Sequence, residues 1–487
     1  MAEAGKGGVR DFVLDNLVVA VAQLLMKLRA LLALPLIVKT LGTEGFGLWS
    51  QVLSVVTFGG AVLGANLHLP LVRFIAGKTE DPGRVYITTL ACTLTIGGGG
   101  ALLFVPWASS LADALLGGRQ YGQLIKAAGV LLVLHNVRLL NVSLYRATGR
   151  FVVRSAVEFS SAMLELVGIL LVLRTGRGID AVVEFMVAWN GFVAFGTTIH
   201  ALKIVGLRAP SGALARQSLV YALPLLPGAA AWWAIDRSDR FVIGHYFGPK
   251  EVGVYSAAYA LGALVLNYQM PFQMTLMPQI ARLWDTDRPR ARRYIEVCTK
   301  AFLLLAIPTV VGMPIVAPLA LRTLANEEIA SRAALVATVV GIGVVLQGVA
   351  IMQTQIFHGA RRTATTGIAM TFAAVLNIGL TFLLVPRLGI AGGAWATACG
   401  YGALTVALVV LARPILRVDH QLLFVVKSAA SAGLMVGVLR LLHPTKLSTL
   451  LLALIPAVAV YFLALFLLGG VSPDERAALG RLRSRKR

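Results

Sequence analysis

Apolar positions in this chain run together in stretches of roughly 20 residues, the length an α-helix needs to cross a bilayer, with short polar or charged turns between them. The first runs from about Leu14 to Val38 and carries Lys27 and Arg29. It is too long, and too charged in its middle, for a cleaved signal peptide. Further runs follow at about 46–68, 86–108, 121–145, 152–173 and 180–202, then, after the loop Gly206 to Arg216, at about 218–246, 251–277, 298–321, 333–357, 363–385, 391–412, 421–442 and 448–470. The pattern predicts an all-α polytopic membrane protein of about fourteen transmembrane helices.

Composition agrees. Hydrophobic residues make up 57% of the 487 and charged residues only 14%, with a mean hydropathy of +0.80, which excludes a soluble enzyme of this length. The net charge of +22 is explained by loops facing anionic lipid, and no nucleic acid partner is expected. About fourteen spans put both termini on one side. On that side fall Arg73, Lys78, Arg84, Arg146, Arg150, Arg154, Lys203, Arg208, Arg216, the cluster from Arg282 to Arg293, Arg361, Arg362, Arg413, Arg417 and the basic tail. That is roughly 27 of the 44 Lys and Arg, against about 10 on the opposite side, so both termini are expected to be cytoplasmic. Cys92, Cys298 and Cys399 lie far apart and form no metal, redox or disulfide pattern.

The chain also repeats itself. Gly42-Thr-Glu-Gly-Phe-Gly47-Leu-Trp-Ser50 matches Gly248-Pro-Lys-Glu-Val-Gly253-Val-Tyr-Ser256, and Gly178-Ile179 corresponds to Gly389-Ile390. Two copies of a unit of this size imply two similar lobes of six spans around a central cavity. The expected organisation is an N-terminal lobe over 1–205, a cytoplasmic linker over 206–217 and a C-terminal lobe over 218–412, with a basic tail over 471–487.

Charges inside the spans are the chemical signal. The stretch from Ala229 to Tyr259 is apolar at both ends yet carries Asp236, Arg237, Asp239 and Arg240. Each, isolated in a bilayer, would cost roughly 2.5 to 3.5 kcal/mol. Asp236 lies one helical turn before Arg240, where the two can pair, while Arg237 needs another partner or a wet cavity. The cluster is thus a self-neutralised pair, a short extramembrane loop or a cavity-lining site. Asp236 sits roughly 18 Å and Arg240 about 12 Å below the turn at Gly248, and Arg29 about 19 Å below Gly42, all near mid-bilayer. Lys126 and Lys427 lie near span ends and can snorkel. Glu158 has Arg154 one turn before it, whereas Glu165 is deeper and unpaired in sequence. Asn136 and Asn141 near Arg138, and Gln347, Gln353 and Gln355, are either sugar-binding amides or helix–helix hydrogen bonds. His135 reads as a packed or cavity residue, and Gly97 to Gly100 as close helix packing.

The Gly42 to Ser50 turn, the stretch from Asp239 to Ala260 and Asn377-Ile-Gly-Leu-Thr-Phe-Leu-Leu-Val-Pro-Arg-Leu-Gly389-Ile-Ala-Gly-Gly-Ala-Trp-Ala-Thr397 resemble the polysaccharide-transporter, or Wzx-type flippase, branch of the MOP superfamily, over about 10 to 470. The resemblance implies two six-helix bundles plus two C-terminal helices within 413–470. It also implies movement of undecaprenyl-diphosphate-linked oligosaccharide from the inner to the outer leaflet of a bacterial inner membrane, serving O-antigen, capsule or exopolysaccharide synthesis alongside polymerase machinery. The first span differs from the Arg-Asp doublet of the related lipid II flippases, having Lys27 and Arg29. Shielding a diphosphate from hydrocarbon needs a cationic cavity, for which Lys27, Arg29, Arg138, Arg237 and Arg240 are the candidates. Asp236, Asp239 and Glu165 are candidates for coupling to H+ or Na+; no other cofactor and no catalytic group is expected. The alternatives are a MATE-like multidrug exporter, or a membrane polymerase or glycosyltransferase using the same lipid. Short external loops, and the lack of paired carboxylates or a metal-ligand cluster in the sequence, argue against the enzymes.

Overall fold

A computed structural model describes residues 7–470, with side chains from Leu34 onward except Met274. All regular structure in this range is helical. In chain order the helices are α1 (Gly7–Leu63), α2 (His68–Ala76), α3 (Pro82–Leu103), α4 (Ala108–Leu116), α5 (Gly122–Ala147), α6 (Phe151–Arg174), α7 (Ile179–Val205), α8 (Gly212–Ala222), α9 (Leu226–Gly262), α10 (Leu266–Leu283), α11 (Arg288–Leu324), α12 (Glu327–Gly359), α13 (Thr363–Leu388), α14 (Ile390–Ala412), α15 (Leu422–Leu442) and α16 (Leu447–Leu467).

Two of these helices are each two passages joined end to end. Gly42 has φ 73° and ψ 179° inside α1, and Gly248 has φ 80° and ψ 173° inside α9. Such values are open to glycine and costly to residues with a Cβ. Both glycines head copies of the repeat, at equivalent positions. Gly178 and Gly389 likewise occupy equivalent positions, each immediately preceding the first residue of a helix, α7 and α14. Where α1 and α9 turn at their glycines, and where α2, α4, α8 and α10 continue the passages beside them, the described helices make about fourteen membrane-length passages.

Proline explains one interruption within the passages, and a bend through non-glycine residues makes another. Pro224 stands in the 3-10 turn Leu223–Leu225 between α8 and α9, where a regular helix would need the proline's missing N–H. Between α1 and α2 the chain bends through Ala65 (φ 46°) and Asn66 (φ 50°). Irregular backbone of this kind is tolerated at membrane depth only when protein or a cavity covers it, and Ala65 and Leu67 are buried. Polar turns start the longer helices on the basic side: the Asp81 and Asp287 carboxylates accept the backbone N–H of Arg84 (2.9 Å) and Arg290 (3.0 Å), each with proline in the first turn.

The chain divides into two compact units, Met1–Gly253 and Val254–Arg487. In the first, α5 packs against α1, α2, α3, α4 and α7. One apolar cluster joins Val52, Leu116, Ile125 and Val182, and another joins Leu71, Tyr86, Leu144 and Ala201. The stretch of α9 up to Gly253 belongs to this unit. A Cβ on Gly47 would lie 1.8 Å from the Pro249 carbonyl oxygen, and one on Gly253 would lie 2.0 Å from that of Thr43. Thr43 and Pro249, like Gly47 and Gly253, are repeat equivalents, so the two copies meet backbone to backbone through a reciprocal pair of glycines.

In the second unit α12 is sandwiched by α11 and α14, α13 packs on α14, and α15 and α16 pack on each other and on α11. Tyr461 fixes that last contact: its hydroxyl donates to the Leu304 carbonyl (2.8 Å) and lies 2.8 Å from the Ser428 hydroxyl. Outward faces carry Phe192, Phe195, Ile368, Leu452 and Ile455, each at least two-thirds exposed. Apolar surface of this extent belongs in lipid.

Candidate functional site

The charged stretch of α9 lies one turn beyond an aromatic anchor. Trp233 packs against Phe58 of α1, with ring centroids 4.1 Å apart and planes tilted by 35°, and donates its indole N–H to the Thr57 hydroxyl at 3.3 Å. This holds the following turn of α9 against α1. There the sequence suggested a pair between Asp236 and Arg240. The structure instead joins neighbours. Arg237 Nε donates to Asp236 Oδ2 at 2.9 Å, and Arg240 Nη1 donates to Asp239 Oδ1 at 3.0 Å. Arg240 reaches Asp236 through the backbone, donating to its carbonyl at 2.9 Å. Long guanidinium side chains on a helix fold back as readily onto the preceding turn's carbonyl as onto its side chain.

Exposure separates the two pairs. The Arg240 and Asp239 side chains are 4% and 0% exposed, those of Arg237 and Asp236 35% and 27%. A sealed ion pair is neutral as a unit and holds the helix in place; a partly open one can exchange its partner for an incoming anion. Of the two α9 cations, Arg237 is thus the more open and Arg240 the more enclosed.

A second network spans α5, α6 and α7. Asn190 lies between opposite charges: its side-chain oxygen accepts from Arg138 Nη1, and its Nδ2 donates to Glu165 Oε1 at 2.9 Å and to the Met186 carbonyl at 2.8 Å. Arg138 Nη2 also donates to Ser161 Oγ at 3.2 Å. The amide's acceptor and both donors are thus engaged, and the opposite charges on its two sides fix which end of the amide faces which helix. The deep carboxylate that lacked a partner in sequence finds one in Asn190, 25 residues on. Neither Asn190 nor Ser161 stood out in the sequence. The only signal was indirect: a deep Glu165 and a deep Arg138 each required polar neighbours.

Other expected residues sort cleanly. Asn141 is fully buried, accepting from the Tyr86 hydroxyl at 2.7 Å and donating to Thr197 Oγ1 at 2.9 Å, so it ties helices together rather than meeting a sugar. Asn136 packs against the bend at Gly64, where an added Cβ would come within 2.5 Å of its Oδ1. His135 is exposed beside Gly60. Arg154 and Glu158 pair at 3.3 Å as their spacing predicts, and Lys427 reaches the Gly469 carbonyl at 3.1 Å, at the end of its span. The glycine run is not one packing surface. Gly100 meets Leu63, whereas a Cβ on Gly98 or Gly99 would touch nothing within 4 Å, because consecutive helical residues point about 100° apart. Lys27 and Arg29 lie outside the residues whose side chains are described.

The sequence profile of the polysaccharide biosynthesis protein family matches residues 36–331, more than half of the chain. The chain belongs to that family. Two Haloferax volcanii proteins are similar to it. The probable flippase AglR is 25% identical over 277 residues, 53% of this chain and 55% of that protein. The probable low-salt glycan biosynthesis flippase Agl15 is 22% identical over 202 residues, 41% of this chain and 42% of that protein. The chain thus aligns with only about half of the length of these curated relatives. Among solved structures, the lipid II flippase MurJ in its inward closed conformation superposes with a TM-score of 0.76 at 14% identity, covering 93% of this chain and 99% of that one. The MATE multidrug transporter DinF-BH gives 0.59 at 14% identity, covering 86% and 98%. At these identities the likeness is one of fold: this family member has the all-α fold of the MurJ and MATE transporters.

Proposed function

We propose that this protein is a flippase for a lipid-linked oligosaccharide, carrying undecaprenyl-diphosphate-linked glycan from the inner to the outer leaflet of a bacterial inner membrane. The supporting observation is Arg237, a guanidinium 35% exposed in the middle of a membrane-length helix and held by its immediate neighbour, Asp236, at 2.9 Å. Family membership and the flippase names of the two archaeal relatives point the same way.

No bond is made or broken in this reading. Arginine donates two parallel N–H groups to phosphate oxygens, and the contact strengthens as water is excluded. Arg237 exchanges Asp236 for the diphosphate, with Arg138, Arg29 and Lys27 as further cations along the substrate's path. The polyprenyl tail stays in lipid. Alternating access then closes the cytoplasmic side, and the interruption at Pro224 lets α8 and α9 move separately. Polymerase machinery acting on the product would meet it at the outer face.

Coupling enters through Glu165. Protonation of its carboxylate, or capture of Na+ by it, weakens the acceptor that orients Asn190. That loosens the Asn190 contact to Arg138 and changes the charge a diphosphate meets. The coupling is a change of population between two states, driven by the ion's different affinity for each.

The test is leaflet-specific labelling of undecaprenyl-diphosphate-linked glycan in cells depleted of the protein. Glycan should accumulate on the cytoplasmic leaflet and be relieved by wild type but not by Arg237→Gln expressed at the same level. Outward display unchanged, with glycan left unpolymerised, would point to a polymerase; unchanged glycan with lost dye efflux would point to a drug exporter.

A further inference from the structure

The basic loops that face one side of the molecule include a built cleft remote in sequence from the charged groups of α5 to α9. It lies between the ends of α12 and α14 and the linker 413–421. Its volume is about 390 Å3, and its walls include Gln353, Arg413, Leu416, Arg417, Val418 and His420. That size suits a small ligand group.

Its polar groups are unspent. Gln353 is 0% exposed, and neither its Nε2 nor its Oε1 has a partner among the described residues. His420 Nδ1 is likewise buried without one. Leaving such a group unsatisfied is costly, so the arrangement calls for a ligand that brings both acceptors and donors. Among the described residues Arg413 and Arg417 have no carboxylate within ion-pair distance. The two carboxylates of this region are taken: Glu296 accepts from Arg292 at 2.7 Å and from the Asp419 backbone N–H at 3.0 Å, and Asp419 accepts from Gln421 at 2.9 Å and 3.0 Å. The Asp419 N–H to Glu296 bond ties the linker to α11.

We propose that this cleft binds the headgroup of an anionic membrane phospholipid that carries hydroxyl groups, such as phosphatidylglycerol, with the phosphodiester on Arg413 and Arg417 and a headgroup hydroxyl donating to Gln353. Inorganic phosphate and diphosphate share the phosphoryl chemistry. The lipid is favoured because the apolar side chains Leu416 and Val418 share the wall, and because the linker is flanked by Leu411, Leu422 and Leu423, which are 44%, 74% and 69% exposed. These give acyl chains a surface that a free anion does not need. A phosphodiester bridging the two arginines, with one headgroup hydroxyl donating to Gln353 Oε1 and a headgroup oxygen accepting from its Nε2, satisfies both ends of the buried amide.

The experiment uses the full-length protein in neutral detergent, titrated with dioleoylphosphatidylglycerol or dioleoylphosphatidylcholine. Retained lipid is read by native mass spectrometry and thermal stability in parallel. Phosphatidylglycerol should be retained and should raise the melting temperature, and phosphatidylcholine should do neither. R413Q/R417Q should weaken phosphatidylglycerol binding about tenfold or more, with R413K/R417K in between. Q353L should weaken it several-fold without lowering the lipid-free melting temperature, since it removes an orphaned amide from a buried site. Equal phosphatidylglycerol binding by wild type and a normally melting R413Q/R417Q would overturn the site. Displacement of the lipid by millimolar inorganic phosphate or diphosphate would overturn the lipid assignment in favour of a free anion.

Discussion

Two side-chain pairs in adjacent positions of α9 have the same composition and opposite meaning. Breaking a buried ion pair typically costs about 3–5 kcal/mol, whereas a partly exposed pair contributes about 1 kcal/mol or less. Arg240→Ala should therefore strip folded protein from the membrane and lower the melting temperature sharply in detergent, while Arg237→Gln melts near wild type and loses transport. A flat thermal response to Arg240→Ala would show that the Asp239 carboxylate is not dependent on it. His420 supplies a pH dependence. Burial lowers its imidazole below the ordinary 6.5; Asp419 opposes this, Arg413 adds to it and Glu296 opposes it. The folded chain thus favours the neutral ring, and the unfolded chain binds the extra proton between the two values. This contribution to stability is present above about pH 6.5 and is lost as the pH falls through the lower folded value. In lipid-free detergent the melting temperature should fall on going from about pH 7 to about 5, and His420→Gln should flatten part of that slope.

At the scale of elements, glycine was the most legible residue type, though not everywhere. The repeat marked Gly42 and Gly248, and the backbone turns at both, because a positive φ is a local requirement that a sequence match can carry. The span limits were legible for a similar reason: bilayer thickness fixes how many apolar residues a helix needs. What the pattern could not convey is who faces whom. Arg138 meets Asn190 across 52 residues, and Gln51 donates to the Leu115 carbonyl across 64, and neither contact follows from periodicity. Nor did the reciprocal approach of Gly47 and Gly253 show beforehand, since the repeat told only that they are equivalent. That contact yields a sharp expectation. Gly47→Ala and Gly253→Ala each place a methyl within 2.0 Å of a backbone carbonyl oxygen, which no rotamer relieves, so α1 and α9 must separate. Both variants should lose most of the folded, monodisperse protein seen by size-exclusion chromatography. Gly98→Ala and Gly99→Ala, whose added methyls meet nothing within 4 Å, should elute and melt as wild type does.

For the whole molecule, the number of passages decides which side each loop faces, and the count rests on α9. Its 37 residues would extend about 55 Å if straight, well beyond a bilayer core of about 30 Å. Continuing straight through Gly248 would leave charged and polar residues such as Lys250 and Glu251 projecting on a second helical segment with nowhere apolar to lie. The non-helical φ and ψ at Gly248 supply a reversal instead, and the same geometry at Gly42 supplies one in α1. With both reversals, the turns at 148–150, 284–287 and 360–362, which hold or are bordered by Arg146, Arg150, Arg282, Arg288, Arg361 and Arg362, fall on a common side, and the turns at 117–118, 325–326 and 443–446 on the other. With α9 crossing once, every loop after it changes sides, and the excess of arginine is split between the two faces against the bias that orients membrane proteins. Single cysteines decide between them. In a background where Cys92, Cys298 and Cys399 are serine, Gly149→Cys and Asp285→Cys should be protected from a membrane-impermeant maleimide in intact cells and labelled in inverted vesicles. Gly118→Cys and Pro444→Cys should behave in the opposite way. Protection of Gly149→Cys together with labelling of Asp285→Cys in intact cells would mean that α9 does not turn at Gly248, and the two-copy architecture would fall with it.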